Sequence, residues 1–343
     1  MSGVCASNVA VKMKIEMSTV ATVVTNRVDV TTPSFLGKNS AVFRVSSRHS
    51  RDMPGHRAAR AALTALIITV GVVRICEAQA PALDVVLDRL GAYLLDYETK
   101  VVELAAEERY KQWIKRRSGY GGDTVSRREL RSTYFLVRLP DGQAWYGFRD
   151  VTRVDGRDTP RQGRPMEQLL SERTVDAYDQ ALAIVRESAK YNIGDVYRTI
   201  NVPLQALDLL HPQYRKRFDF KAAGRERVGG QEAAIVAFQE RSTPTTLVSD
   251  GFGGELLARG RVWIEPTSGA VLRTELSFNG SAARYLKESA IRVDYQRDPK
   301  LQVLLPSEME ETYGFEIEVL HGEATYRNYR RFETAARMIT PPK

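Results

Sequence analysis

The stretch from Gly260 to Phe278 reads G-R-V-W-I-E-P-T-S-G-A-V-L-R-T-E-L-S-F, and it decides the fold. Two runs rich in β-branched and aromatic residues flank the segment Pro266-Thr267-Ser268-Gly269. In such a segment Pro presets the turn and Gly is free to adopt a positive φ. The pattern therefore predicts a β-hairpin, and the remainder of the chain is interpreted outward from it.

The register of this hairpin decides which side chains share a face, because a shift of one residue turns every side chain over. A three-residue loop that closes with a bulge at Gly269 gives a coherent apolar face, and we prefer it. A four-residue loop starting at Pro266 would mix the two faces, and the sequence leaves both registers open. In the preferred register the apolar face holds Val262, Ile264, Leu272, Thr274, Leu276 and Phe278, and the opposite face holds Arg261, Glu265, Arg273 and Glu275.

Further strands are predicted wherever β-branched and aromatic runs are bounded by turn residues. Ten or eleven antiparallel strands are many for an open sheet, so we expect a strongly curved half-barrel with a concave apolar face. The strands are predicted at 132–139, 143–151, 196–202, 218–222, 232–240, 260–264, 270–278, 291–296, 307–313 and 322–332.

Three helices are predicted beside this sheet. Apolar residues recur at three- and four-residue steps over 82–97 and again over 166–190, and a third helix begins at Pro203. The stretch 98–117 is ambiguous between helix and strand. We expect the helices to fill or cover the concave face, which gives an α+β fold with a helical insertion near 166–210.

The first eighty residues differ in charge and in cysteine content from the rest. They carry +6 of the chain's formal charge of +8, and they hold both cysteines, Cys5 and Cys76. Without them the chain has no disulfide, thiolate nucleophile or cysteine metal ligand. The remaining charge of +2 provides no field to steer nucleic acid, so no nucleic-acid partner is predicted.

Residues 53–80 have the three-part layout of a secretory signal peptide. A basic region after Met53 is followed by an apolar run of 13 residues and then by small residues. We expect cleavage near Ala78 to Ala80, hence a periplasmic or secreted chain. An uncleaved anchor is the alternative, although a spanning helix needs about 20 apolar residues.

The segments on either side of the signal peptide are also assigned. Residues 1–52 lack helical periodicity and turn signals, so they are interpreted as a disordered extension or as the result of a start codon placed too far upstream. Residues 81–343 are predicted to form a single domain with no transmembrane span. Lipidation of Cys76 stays an open alternative.

Three segments together resemble a known family. They are V-W-I-E-P-T-S-G-A-V-L-R-T-E-L at 262–276, I-R-V-D-Y at 291–295 and L-P-S-E-M-E-E-T-Y at 305–313. With the leading helix they are similar to the LolA/LolB type of outer-membrane lipoprotein-sorting proteins. The resemblance implies a helix-plugged half-barrel whose hydrophobic cavity accepts acyl chains. It covers roughly residues 82–333 but not the long insertion at 155–201, and it extends to an uncharacterised group of secreted proteins with this fold.

The leading functional hypothesis is an exported, non-enzymatic carrier or binding protein for a lipid or acyl-chain ligand in the cell envelope. No cofactor and no metal site are predicted. A curled sheet with helices beside it suits an apolar site. The predicted cavity lining is Val262, Ile264, Leu272, Leu276, Phe278, Ile291, Val293 and Tyr295.

Two alternatives stay open. One is a structural or interaction protein of the periplasm, with an envelope protein partner, in which the same face is simply a packed core. The other is a hydrolase that uses Glu308, Glu310 or His211, since paired carboxylates can cleave glycosidic bonds. Alternation instead places the two glutamates on the solvated side of a strand. A polar cavity mouth for an anionic head group would use Tyr326, Tyr329 and Arg330.

Overall fold

The fold is taken from a computed structural model of the chain. It describes residues 81–117, 122–138, 145–160, 163–172, 174–194, 202–241, 247–249, 254–279 and 288–332. The N-terminal extension, the signal peptide with Cys76, and almost all of the predicted strand 196–202 lie outside these residues.

The described residues include four α-helices. They are α1 (Leu83–Lys100), α2 (Met166–Glu172), α3 (Val175–Ala189) and α4 (Gln205–Leu210). The single helix predicted over 166–190 is therefore two helices. The second begins at the N-cap Thr174, whose side-chain oxygen accepts a hydrogen bond from the Ala177 amide at 3.2 Å, and this cap explains why a new helix begins there.

Eleven strands form one open antiparallel sheet, in the order β4-β3-β2-β1-β12-β11-β10-β9-β8-β6-β5, and β7 pairs with β8. This confirms the α+β class and the expected antiparallel sheet of ten or eleven strands. The stretch left ambiguous at 98–117 contains a strand. The strands are β1 (Leu104–Arg116), β2 (Thr124–Arg138), β3 (Trp145–Val154), β4 (Arg157–Asp158), β5 (Phe218–Val228), β6 (Gln231–Glu240), β7 (Leu247–Ser249), β8 (Gly254–Ile264), β9 (Val271–Asn279), β10 (Glu288–Arg297), β11 (Leu304–Gly314) and β12 (Glu318–Arg331).

The predicted hairpin is formed by β8 and β9, but its loop has four residues and not three. The Glu265 amide donates to Ala270 O, and the Gly269 amide donates to Glu265 O. The pairing then shifts by one residue, since Ile264 is opposite Val271 whereas Trp263 is opposite Arg273. This bulge offsets the longer loop. The preferred faces are therefore correct, whereas the loop is the four-residue alternative that starts at Pro266.

The two sides of the sheet carry different helices. On β2, Tyr134 and Leu136 pack in an apolar cluster with α1 and α4, whereas Phe135 and Val137 pack in a second cluster with α2 and α3. Successive strand residues point to opposite sides. We call these the α1 side and the α3 side. The expectation that all predicted helices cover one face is thus wrong for 166–189, which packs on the α3 side.

Candidate functional site

The eight residues predicted to line an apolar cavity lie together on the α1 side of β8, β9 and β10. Leu276 is opposite Ile291, and the neighbouring pair on the same two strands is Thr274 with Val293. Their exposed fractions run from 0% for Val262 and Ile264 to 8% for Phe278. All eight belong to the cluster that contains the buried residues of α1 and α4.

Helix α1 contacts the hairpin turn directly. Arg89 Nη1 donates to Pro266 O at 2.5 Å. A Cβ on Gly269 would lie 2.2 Å from Arg89 O, and Gly269 has φ +76°. Only glycine satisfies both conditions, the positive φ and the close approach of the helix backbone. The turn sequence therefore fixes where α1 lies on the sheet.

Helix α4 is held to the same region by polar contacts. The Tyr295 hydroxyl donates to Pro203 O at 2.9 Å, just before α4. The Asp208 carboxylate of α4 accepts from the Trp145 amide at 3.3 Å. Asp208 is 6% exposed, and burial raises its pKa well above the ordinary aspartate value.

His211 follows α4 and belongs to a small ionic group. Its Nε2 lies 3.1 Å from Glu98 Oε2, and Arg138 Nη2 donates to the same oxygen at 2.6 Å. Burial lowers the pKa of His211, against the opposing effect of Glu98. His211, considered above for a hydrolase, thus lies where the end of α4 meets α1 and β2.

The α1 side also contains buried polar residues that the sequence analysis missed. Glu311 is 2% exposed, and its carboxylate accepts hydrogen bonds from the hydroxyls of Tyr110 and Tyr313. Burial raises the pKa of Glu311 to about 8. Gly322 lies beneath these groups, since a Cβ there would come within 2.6 Å of Glu311 Oε1. The glycine makes room for the Tyr110–Glu311 contact across β12.

A buried ion pair lies beside this group. Arg149 on β3 donates to both carboxylate oxygens of Glu108 on β1, at 2.6 and 2.7 Å. The guanidinium lies 4.9 Å from the Tyr110 ring centroid. Such bidentate geometry is the form in which a desolvated ion pair persists. The polar interior on β1, β3 and β11 therefore differs from the apolar interior on β8–β10.

The three residues predicted for a polar cavity mouth are separated in the structure. Tyr326 and Tyr329 are buried on the α1 side, where the Tyr329 hydroxyl donates to Pro306 O at 2.8 Å. Arg330 lies on the α3 side and donates to Glu167 of α2 at 2.6 and 2.7 Å. The predicted trio therefore does not form one site.

The residues considered for hydrolysis do not come together either. Glu308 and Glu310 are exposed on the α3 side of β11, as alternation predicted. His211 lies beside Glu98 on the α1 side.

Among the residues that the structure describes, no group of three or more His, Cys, Asp or Glu is placed to hold a metal ion. In the same part of the chain, every helix is too short or too polar to cross a membrane.

Comparison with family models and with curated proteins finds no match. Solved structures similar to the chain include a DUF1329 family protein from Desulfovibrio piger, at 12% identity and TM-score 0.36, covering 74% of this chain and 93% of that one. A putative outer membrane lipoprotein-sorting protein domain from Vibrio parahaemolyticus is also similar, at 10% identity and TM-score 0.31, covering 71% and 91%.

A LolA superfamily protein from Nitrosomonas europaea matches at 8% identity and TM-score 0.26, covering 73% of this chain and 97% of that one. LolA-type proteins are thus among the structures similar to the chain, in agreement with the resemblance noted in the sequence.

Proposed function

We propose that the chain is an exported carrier that binds a hydrophobic ligand, such as an acyl chain, against the α1 side of β8–β10. One observation carries the proposal: eight apolar side chains from three neighbouring strands form one surface, and helices rather than a second sheet lie over it. Helices that can move away from an apolar surface make it accessible to a ligand.

The proposed moving part is α4. It has six residues, too few for a helix that is stable by itself. It carries the buried Asp208. Burying this carboxyl group costs desolvation free energy, which makes the packed position of α4 less stable. In contrast, α1 has 18 residues and fits closely against Gly269. In this proposal α1 stays packed on the sheet, and the ligand displaces α4.

The fold and location implied by this function are part of the proposal. We propose that the open sheet curls into a half-barrel, because strands twist and large open sheets curl. We also propose that the chain works in the periplasm or outside the cell after cleavage near Ala78 to Ala80. The apolar surface would then form the concave inner wall.

Native mass spectrometry tests the carrier directly. The full chain is expressed with export to the periplasm, and its native mass is compared with its mass after denaturing extraction. The carrier function predicts an excess mass that leaves with organic solvent, which also identifies the ligand class. A native mass equal to the polypeptide, together with no uptake of a fluorescent fatty acid, would contradict it.

One observation favours a second candidate, a structural or interaction protein with an envelope protein partner. All eight surface residues are already at most 8% exposed, as in a packed core. In that case Leu276→Trp should destabilise the fold by roughly 1–3 kcal/mol through overpacking. An unchanged melting temperature would favour the carrier, since a site that admits a ligand can also admit the larger side chain.

A further inference from the structure

Three arginines form a row across the α3 side of the sheet. Arg109 on β1 is directly opposite Arg131 on β2, and Arg131 is directly opposite Arg153 on β3. Neighbouring strands are about 4.8 Å apart, so the row is about 10 Å long. Like charges at directly opposed positions destabilise a sheet, which makes this row costly for the fold alone.

Elsewhere on the same side of the sheet, several directly opposed positions hold opposite charges. Arg261 is opposite Glu275, Arg273 is opposite Asp294, and Arg292 is opposite Glu310. These are opposite-charge pairs, the arrangement that stabilises adjacent strands. Like charges are also opposed at Asp294 with Glu308 and at Glu310 with Glu323, so the arginine row is distinguished by its positive charge and by its extent over three strands.

The charge of the row is only partly balanced. Glu129 accepts from Arg109 at 2.7 Å and lies 3.5 Å from Arg131, and Arg153 pairs with Asp158 at 2.6 Å. Two further cations, Lys111 and Arg327, line the same groove, together with Glu107 and Glu323. Lys111 is directly opposite Glu323 and Arg327 is directly opposite Glu107, so the net positive charge of the groove comes from the arginine row.

The row lies in a groove of about 550 Å³, a volume suited to a small molecule. Thr133, Thr152 and Thr325 are also part of its lining, and their hydroxyls add hydrogen-bonding groups beside the cations. Guanidinium groups offer paired N–H donors that match the oxygens of a phosphate. A row of three such groups suits a ligand with more than one phosphate.

We propose that this groove binds a compact ligand bearing two or more phosphate groups, with Arg131 at the centre of the contact. The site lies on the side of the sheet opposite the proposed acyl surface. It is therefore independent of the carrier function and is tested separately.

Inorganic tripolyphosphate is the probe, titrated into the full chain at low ionic strength with calorimetric detection. We expect binding that Arg131→Gln weakens by about tenfold, since an Arg–phosphate contact is charge-assisted and bidentate. The matched control is Arg261→Gln, which removes the same charge from the same side of the sheet outside the groove. It should change affinity by less than about twofold, because screening limits distant charges.

A second arm separates a soluble ligand from a membrane-held phosphate. Cosedimentation with phosphatidylcholine vesicles that contain cardiolipin, a lipid with two phosphates, is measured for the wild type and for both variants. Tripolyphosphate binding without cosedimentation supports a soluble ligand, and cosedimentation that Arg131→Gln abolishes supports a lipid head group. Failure of both probes to bind at about 1 mM phosphate overturns the proposal. Equal weakening by Arg131→Gln and Arg261→Gln overturns it as well, and melting temperatures show that each variant is folded.

Discussion

The part of the sheet formed by β1–β3 and the part formed by β8–β10 are covered by helices in different ways. In β2 the run Tyr134-Phe135-Leu136-Val137 is buried throughout, because α1 packs on one side and α3 on the other. In β9, buried Thr274, Leu276 and Phe278 alternate with partly exposed residues. A continuous apolar run therefore marks a strand covered on both sides, and alternation marks one covered on a single side.

The largest predicted effect tests the double cover. Phe135→Ala should destabilise the fold by about 3–5 kcal/mol, because it removes a ring packed between β2 and the α3 side and leaves a cavity. Urea denaturation measures the change. The control is Val125→Ala, on the same strand and side but 48% exposed, where the loss should stay within about 0.5 kcal/mol. Equal losses at the two positions would contradict the double cover.

The next prediction concerns the buried ion pair of Glu108 and Arg149 in the β1–β3 part of the sheet. Glu108→Gln should cost about 3 kcal/mol, since it leaves the Arg149 guanidinium without its anion in a desolvated site. The side chain of Arg149 keeps 11% exposure, which limits the loss.

Adding Arg149→Met to Glu108→Gln should recover part of the stability, because a buried pair replaced by uncharged groups is often tolerated. Chemical denaturation of the two single variants and the double variant measures the coupling. Strictly additive losses would mean that the two side chains do not stabilise each other.

A third prediction uses the raised pKa of Glu311, from 4.5 to about 8. The folded state holds this proton to a higher pH than the unfolded state does. Its contribution to stability is therefore complete below pH 4.5 and is lost as pH rises through about 8. The slope is at most about 1.4 kcal/mol per pH unit for one proton.

The measurement for Glu311 is a difference between two stability profiles, that of the wild type and that of Glu311→Gln. Asp208, whose pKa is also raised, titrates in both proteins and cancels. The wild type should lose stability relative to the variant across this range. Parallel profiles would show that Glu311 is already ionised in the folded protein.

The smallest predicted effect tests the helix that gives β1–β3 their second cover. Thr174→Ala removes the N-cap of α3 and should cost about 1 kcal/mol. Thr174→Ser keeps an oxygen in place and should cost less. Thermal unfolding distinguishes them, and an equal loss for both would mean that the methyl group of Thr174, not its hydroxyl, is what matters.

Much of the hairpin region could be predicted because its signals are local. Alternation placed Val262, Leu276 and Phe278 on the buried side, and this is confirmed. The loop length was wrong because two irregularities offset each other, the extra loop residue and the bulge at Leu272. Local sequence determines the faces of such a hairpin more firmly than its turn.

The polar interior left only a weak signal in the sequence. Glu311 is two residues from Met309 and two residues from Tyr313, and both of these are buried. Strand alternation with these neighbours was therefore the one signal that Glu311 is buried. Only Glu308 and Glu310 of the acidic run E-M-E-E were considered for a site, and alternation placed those two on the solvated side of the strand. The arginine row left no local signal, because Arg109, Arg131 and Arg153 meet only through the register of three strands.

The pairing of β1 with β12 has a consequence for how the chain acquires its fold. Leu104 is opposite Arg331, so β1, the first strand of the chain that the structure describes, forms its hydrogen bonds to one neighbour only after β12, the last such strand, has been made. Contacts this distant in sequence slow folding, because the loop must close before the pairing stabilises it. While it waits, β1 offers an unpaired edge, and unpaired edges associate with other chains. Refolding should therefore be slow, and aggregation during synthesis should fall most when β12 is supplied early, as in a circular permutant that begins with it.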